Sequence, residues 1–310
     1  VVADDRLRLI FLCCHPALDA AARVALSLRV LGGLEVAEIA DALLVSEPAM
    51  AKRLTRARAK IRDAGIPYRV PSETELPERL DAVATVILLI FNEGYASRRA
   101  GGAQRVDLAV EAIRLARALR EVMPGEAVVE GLLATMLLQH SRRAAREVNG
   151  ETVLLADQDR GRWDHPMVAE GTALAAEAVR HSAVRGTRFA VMAAIAALES
   201  EWPPPWSDVV DWYDVLVTFD PSPVVRLNRA SAIAESLGAA EGLLALEEVD
   251  GLDGYPWFHA SRGELLLKVG RSDDAAAAFS RAITVFGADD APVVRRLARR
   301  RGEALATVRG

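Results

Sequence analysis

An all-α fold is what this 310-residue sequence predicts, on three grounds. Hydrophobic residues make up 51% of the chain and aromatic ones only 5%, the apolar share being rich in Ala and Leu, which favour helix over sheet. Apolar residues recur at helical spacing through most of the chain, and Pro and Gly clusters cut it into helix-length pieces. The length is comfortable for two or three domains with a sizeable core.

The first helix is expected from Asp5 to about His15, with Leu7, Ile10, Phe11 and Cys14 as its apolar stripe and Pro16 as its stop. A second follows in DAAARVALSLRVLGGL, where Val24, Leu28 and Leu31 share a stripe and Gly32-Gly33 ends it. Glu35 to Leu43 reads as a third helix, with Ile39, Ala40 and Leu43 on one face. A break at Leu44-Val45 leads to Ser46, which is placed to cap a fourth helix whose Met50 and Leu54 point back to the third. Glu47 suits the positive end of that helix, and Pro48 is tolerated because the first turn has no partner for its missing N–H. The pattern is a helix-turn-helix closing a small core around Ile39 and Leu54.

Between Ser46 and Arg62 stand six basic residues (Lys52, Arg53, Arg56, Arg58, Lys60 and Arg62) against the single acid Glu47. The formal net charge of the whole chain is −5, but residues 1–65 hold ten Lys/Arg and eight Asp/Glu, a net of +2, which leaves −7 on the remainder. A locally basic helix on an acidic body fits a protein that meets DNA with one part and proteins with another.

From Ala64 to Pro77 three prolines and a glycine interrupt all periodicity, marking a boundary. Beyond it, Glu78 to Phe91 reads as a buried helix carrying Val83, Val86, Ile87, Leu88 and Ile90, ended by a turn at Phe91-Asn92-Glu93-Gly94-Tyr95. Helices are expected from about Val106 to Val122 and from Glu126 to Ser141, the latter lined by Val129, Leu132, Leu133 and Met136. The stretch NGETVLLADQDRGRWD, Asn149 to Asp164, breaks the pattern: Glu151 to Ala156 is extended and apolar, and the rest is charged. Helices resume at about His165 to Ser182, Thr187 to Ser200 and Trp206 to Phe219, with Trp202-Pro203-Pro204-Pro205-Trp206 as a rigid spacer. In the last hundred residues Gly263, Gly270, Ala275, Phe279 and Ala282 fall at tetratricopeptide-like offsets. Small residues there let paired helices cross, and Phe279 is expected to fill the groove between them. Ser231 and Gly238, each 32 residues earlier than Gly263 and Gly270, mark a weaker copy.

Candidate chemistry is sparse. Asp157-Gln158-Asp159-Arg160-Gly161 starts like a calcium loop but has Arg162 where Gly belongs and Val168 in place of the closing Glu. Asp157, Asp159 and Asp164 are expected to ion-pair with Arg160 and Arg162, which depresses their pKa values and argues against acid–base work. The adjacent Cys13 and Cys14, beside His15, are poorly placed for a mutual disulfide and lack a second pair for zinc; they read as a reduced core pair. With no phosphate loop, nucleophile elbow or metal-binding His pair, no catalytic residue, cofactor or metal is expected. No apolar run approaches the roughly 20 residues that span a bilayer, and no export leader is recognisable, so a cytoplasmic, non-membrane protein is expected.

The run from Leu18 to Arg62 resembles the promoter-recognition domain of bacterial sigma factors of the extracytoplasmic-function type. The resemblance rests on Leu28-Arg29 to Gly33, Glu38-Ile39-Ala40 with Leu43, and Ser46, Met50, Arg53-Leu54 and Arg56-Ala57-Arg58. Leu44 stands where the turn of that family has Gly, and Ala49 and Ala51 replace more polar residues. Phe91 to Tyr95 and the Asp157 to Asp164 segment are similar to parts of an uncharacterised, DUF6596-like middle domain. In one sigma-factor subgroup that domain joins the promoter-recognition domain to tetratricopeptide-like repeats. The resemblance implies promoter DNA and RNA polymerase core as partners, and a C-terminal extension that regulates through intramolecular or partner-protein contacts. It also implies a promoter-melting domain ahead of Val1, so the chain is expected to be a fragment.

The expected layout is a DNA-binding helix-turn-helix domain at 1–65, a linker at 66–75, a helical middle domain at 76–205 and a repeat tail at 206–310. The DNA-binding set is Ser46, Glu47, Ala49, Lys52, Arg53, Arg56 and Arg58. A regulatory loop is assigned to Asp157, Asp159, Arg160, Arg162, Trp163 and Asp164. The competing reading is a helix-turn-helix repressor or activator whose helical tail senses a ligand or partner.

Overall fold

The computed structural model of the chain describes residues 5–43, 45–65, 76–96, 106–182, 186–287 and 291–309. Leu44 and the expected linker at 66–75 lie outside the described residues. Four helices form the N-terminal unit: α1 (Asp5–Cys13), α2 (Ala20–Val30), α3 (Val36–Ala42) and α4 (Glu47–Asp63). Asp19 caps α2 by accepting from the amide of Ala22 at 2.7 Å. The α2–α3 corner needs its glycines: Gly33 has φ +63°, and a Cβ on Gly32 would stand 2.8 Å from the carbonyl oxygen of Leu28. Glu38 reaches back to accept from the amide of Glu35 at 2.6 Å, tying the start of α3. Ile39 and Leu54 are buried at the centre, as the pattern predicts, with Leu28, Leu34 and Met50 around them.

Ser46 departs from expectation. It occupies the N-cap position of α4, yet its side chain makes no capping hydrogen bond. A cap oxygen takes the amide of the second or third helical residue, and Pro48 has removed the first of these.

The middle unit consists of α5 (Leu76–Ala96), α6 (Val106–Val122), α7 (Ala127–Ser141), a two-stranded hairpin, α8 (His165–His181) and α9 (Arg188–Leu198). The α5 helix does not end at Phe91 as expected but runs on through Asn92-Glu93-Gly94-Tyr95. Phe91 and Gly94 are both buried, and this packing offsets the ~1 kcal/mol that a glycine costs a helix. Buried on all sides, α7 is the axis of the unit and packs against α5, α6, α8 and α9. A Cβ on its Gly131 would stand 2.5 Å from the carbonyl of Phe189, so α7 and α9 touch backbone to backbone. The apolar core runs without interruption from Ile10 to Ala193, because α1 and α2 pack on α5 and α1 also meets α6. Cys13 and Cys14 are buried within that shared core; burial pushes their thiols up to about 11 and about 12.

The stretch after Asn149 is extended as expected from Glu151 to Leu154, and turns from Leu155 onward. Strands β1 (Glu147–Val148) and β2 (Glu151–Thr152) pair antiparallel across Asn149-Gly150, whose φ values of 52° and 74° make the two-residue turn that suits a hairpin. Short 3-10 turns follow at Leu155–Asp157 and Arg160–Arg162.

Six helices complete the chain: α10 (Trp206–Phe219), α11 (Pro223–Leu237), α12 (Ala239–Glu247), α13 (Pro256–Lys268), α14 (Ser272–Phe286) and α15 (Pro292–Arg309). Val209, Tyr213 and Leu216 of α10 pack on Val191 and Ile195 of α9, joining tail to middle unit. The α13–α14 pair crosses closely where Phe279 lies over Gly263; in α11–α12 the close approach is between Gly242 and Ala234. No helix among the described residues is long and apolar enough to cross a membrane.

Candidate nucleic-acid interface

The α4 helix is amphipathic in a way that sets its charges outward. Met50, Leu54 and Ala57 are buried against α2 and α3, so the opposite face has to be the solvent face. Ala49, Lys52, Arg53, Arg56 and Lys60 stand at i, i+3, i+4, i+7 and i+11, which places them in one strip along the helix. Ser46 and Ala49 lie at the N-terminal end of this strip, and both are exposed. Arg58 is also exposed, but its register puts it on the other flank, with Glu47, Ala51, Thr55 and Arg62. The seven expected residues therefore divide into a strip of five and a flank of two.

Pairing separates these cations from most others in the molecule. Arg117 meets Glu170 at 2.6 Å, Arg120 meets Glu177 at 3.4 Å, and Arg229 is held by Asp214. Among the described residues, Lys52, Arg53, Arg56, Arg58 and Lys60 form no ion pair, and of the α4 cations only Arg62 does, with Asp63 at 3.2 Å. A row of cations left without internal partners along the solvent face of a helix can take the oxygens of a phosphate backbone.

The loop from Asp157 to Asp164 forms a joint. Its carboxylates do not pair with Arg160 and Arg162 as expected; two of them tie backbone instead. Asp159 accepts from the amide of Gly161 at 2.9 Å, and Asp164 accepts from the amide of Met167 at 3.1 Å to cap α8. Asp164 also lies 4.0 Å from Arg143, while Asp157 and Arg162 are exposed. Arg160 turns inward and donates to the carbonyl of Ser200 at 2.8 Å at the end of α9. Its guanidinium carbon lies 4.3 Å from the ring centre of Trp163 and 4.7 Å from that of Trp202. One cation thus stacks between a buried ring of the loop and an exposed ring of the Trp202–Trp206 spacer. Arg142 approaches Trp163 from a further side at 5.9 Å. Beneath the joint, burial pushes the Glu199 carboxyl up while Arg142 and Arg146 oppose that shift. Among the described residues, no three His, Cys, Asp or Glu side chains are placed to hold a metal ion.

The polar contacts of α15 carry no signature in the local sequence pattern. Arg296 and Arg300 meet Glu264 of α13 at 2.9 and 2.6 Å, and Arg299 meets Glu151 of β2 at 3.0 Å. The Asn149-Gly150 dipeptide was the available signal for the hairpin; nothing in the local pattern pointed to its partner 145 residues away.

Residues 8–61 match the family described as sigma-70, region 4, and residues 79–179 match a family of unknown function, DUF6596. An uncharacterized protein of Rhizobium meliloti (strain 1021) is 45% identical over 288 residues, which cover 91% of this chain and 68% of that protein.

Proposed function

From the premise that this chain belongs to the same family as the Rhizobium meliloti protein, and carries a sigma-70 region 4 DNA-binding domain ahead of a DUF6596 domain, we propose that it is a transcription initiation factor. In this reading it directs RNA polymerase core to specific promoters from the cytoplasm. The observation that carries the reading is the strip of unpaired cations on α4, within the region that matches sigma-70 region 4. Lys52, Arg53 and Arg56 hold phosphates along one strip of α4, and Ser46, Glu47 and Ala49 near the N-terminus of α4 face base edges. Arg58, on the other flank, reaches the neighbouring backbone.

The tail, in the same proposal, regulates through protein contacts, its helical hairpins acting as a tetratricopeptide-like scaffold. Its support is the shared core of the N-terminal and middle units and the Arg160 joint, through which a change in the tail can bear on α4. The test is transcription with RNA polymerase core on a promoter library. A sigma factor yields defined start sites that depend on this chain, whereas a repressor or activator binds DNA but yields starts only alongside another sigma factor. If no DNA in the library is bound, the proposal fails.

A further inference from the structure

The C-terminal helix returns to a part of the molecule far from it in sequence. Arg295 donates from Nε to the carbonyl of Gly150 at 2.8 Å, and Arg299 Nε lies 3.0 Å from a carboxylate oxygen of Glu151. Gly150 admits the first contact because it has no side chain: a Cβ there would stand 3.1 Å from the Arg295 guanidinium. Between Glu151 and Arg295 the chain runs through α8 to α14, so these contacts close a loop of seven helices.

The two faces of α15 are fastened unequally. Arg296 and Arg300, one turn apart, grip Glu264 of α13, with side chains only 11%, 22% and 16% exposed. Val294, Leu297 and Ala304 are buried along α15, and Leu297 and Ala304 belong to the tail core. Arg295 and Arg299, also one turn apart, face the hairpin, where the Arg299–Glu151 pair is 51% and 31% exposed. Exposed ion pairs contribute about 0–1 kcal/mol and weaken with salt, whereas apolar burial does not. Any opening therefore occurs at the hairpin, with α15 staying on the tail. The hairpin itself has two residues in each strand, too few to hold without backing.

We infer that α15 is an ionic latch: Arg295 and Arg299 hold the tail closed on the Gly150–Glu151 turn, and their release lets the tail move about the joint between α9 and α10. The latch concerns the shape of the chain and stands whether or not the chain binds DNA.

Fluorescence energy transfer on the full chain tests it, with dyes on Ala173→Cys of α8 and Leu305→Cys of α15, both exposed positions. Cys13 and Cys14 are buried and their thiols are shifted upward, so they do not compete for the dyes. At low salt one compact population is expected. Glu151→Arg, which sets a cation against Arg295 and Arg299, raises the extended fraction by up to about fivefold, the scale of one lost exposed ion pair. Salt at about 1 M does the same to the parent chain. Combining Glu151→Arg with Arg299→Glu restores compactness, while Glu241→Arg, an equal charge change at an exposed position of α12, leaves it unaltered. Circular dichroism checks that each variant keeps its helix content. A distance distribution indifferent to Glu151→Arg and to salt, or one that Glu241→Arg shifts equally, overturns the latch.

Discussion

Phe279 occupies the space that a side chain at Gly263 would need: a Cβ built there would lie 2.6 Å from the ring. At this close crossing of the α13–α14 pair, the large, fully buried ring sits in the tail core. Gly263→Leu is expected to destabilise the tail by about 2–3 kcal/mol through overpacking, and Phe279→Ala by about 3–5 kcal/mol through a cavity. Urea unfolding followed by segment-resolved hydrogen exchange checks both. The loss should fall on α11 to α15 and spare α5 to α7.

At the joint, Arg160→Lys keeps the charge but gives up the planar stack between Trp163 and Trp202. A loss of about 1–2 kcal/mol is expected, with red-shifted tryptophan emission as the rings separate. A double-mutant cycle with Trp202→Ala should show coupling between the two positions; additive losses would mean the stack contributes nothing.

Acid should weaken the fold through His140, which is buried on α7, edge-on to Phe91. Burial, with Arg143 and Arg146 nearby, holds its pKa down to about 4 from an ordinary 6.5. Between these values the unfolded chain binds a proton that the folded chain does not, so stability falls as pH drops from about 6.5 to about 4. His140→Gln should flatten that segment of the stability–pH curve, measured as urea midpoints at matched ionic strength.

Much of this architecture could be read from residue patterns. The Ala- and Leu-rich periodicity anticipates α6 and α10 to the residue, and the small residues around Phe279 anticipate the α13–α14 crossing. The misses have physical causes. Gly94 looks like a helix stop until burial offsets its backbone cost, and Ser46 holds the N-cap position without a side-chain hydrogen bond, one of its two candidate amides being absent at Pro48. The Asp–Arg alternation from Asp157 to Asp164 suggests local ion pairs, but two nearby indole rings compete for Arg160 and win it. Contacts such as Arg299 with Glu151 depend on how seven helices stack, which no local pattern encodes. In the candidate interface, charge and spacing identify α4, while the division of Lys52, Arg53 and Arg56 from Arg58 emerges only once the buried face of Met50, Leu54 and Ala57 is placed.

DNA affinity as a function of salt is the most direct measure of what α4 does. For the parent chain on its promoter, log affinity should fall linearly with log salt. Arg53→Ala with Arg56→Ala should reduce that slope by roughly two, about 0.9 for each phosphate left without its cation. Binding should weaken almost uniformly across sequences, with helix content unchanged. A double variant that folds normally and keeps the full salt slope would contradict the assignment of this strip to the phosphate backbone.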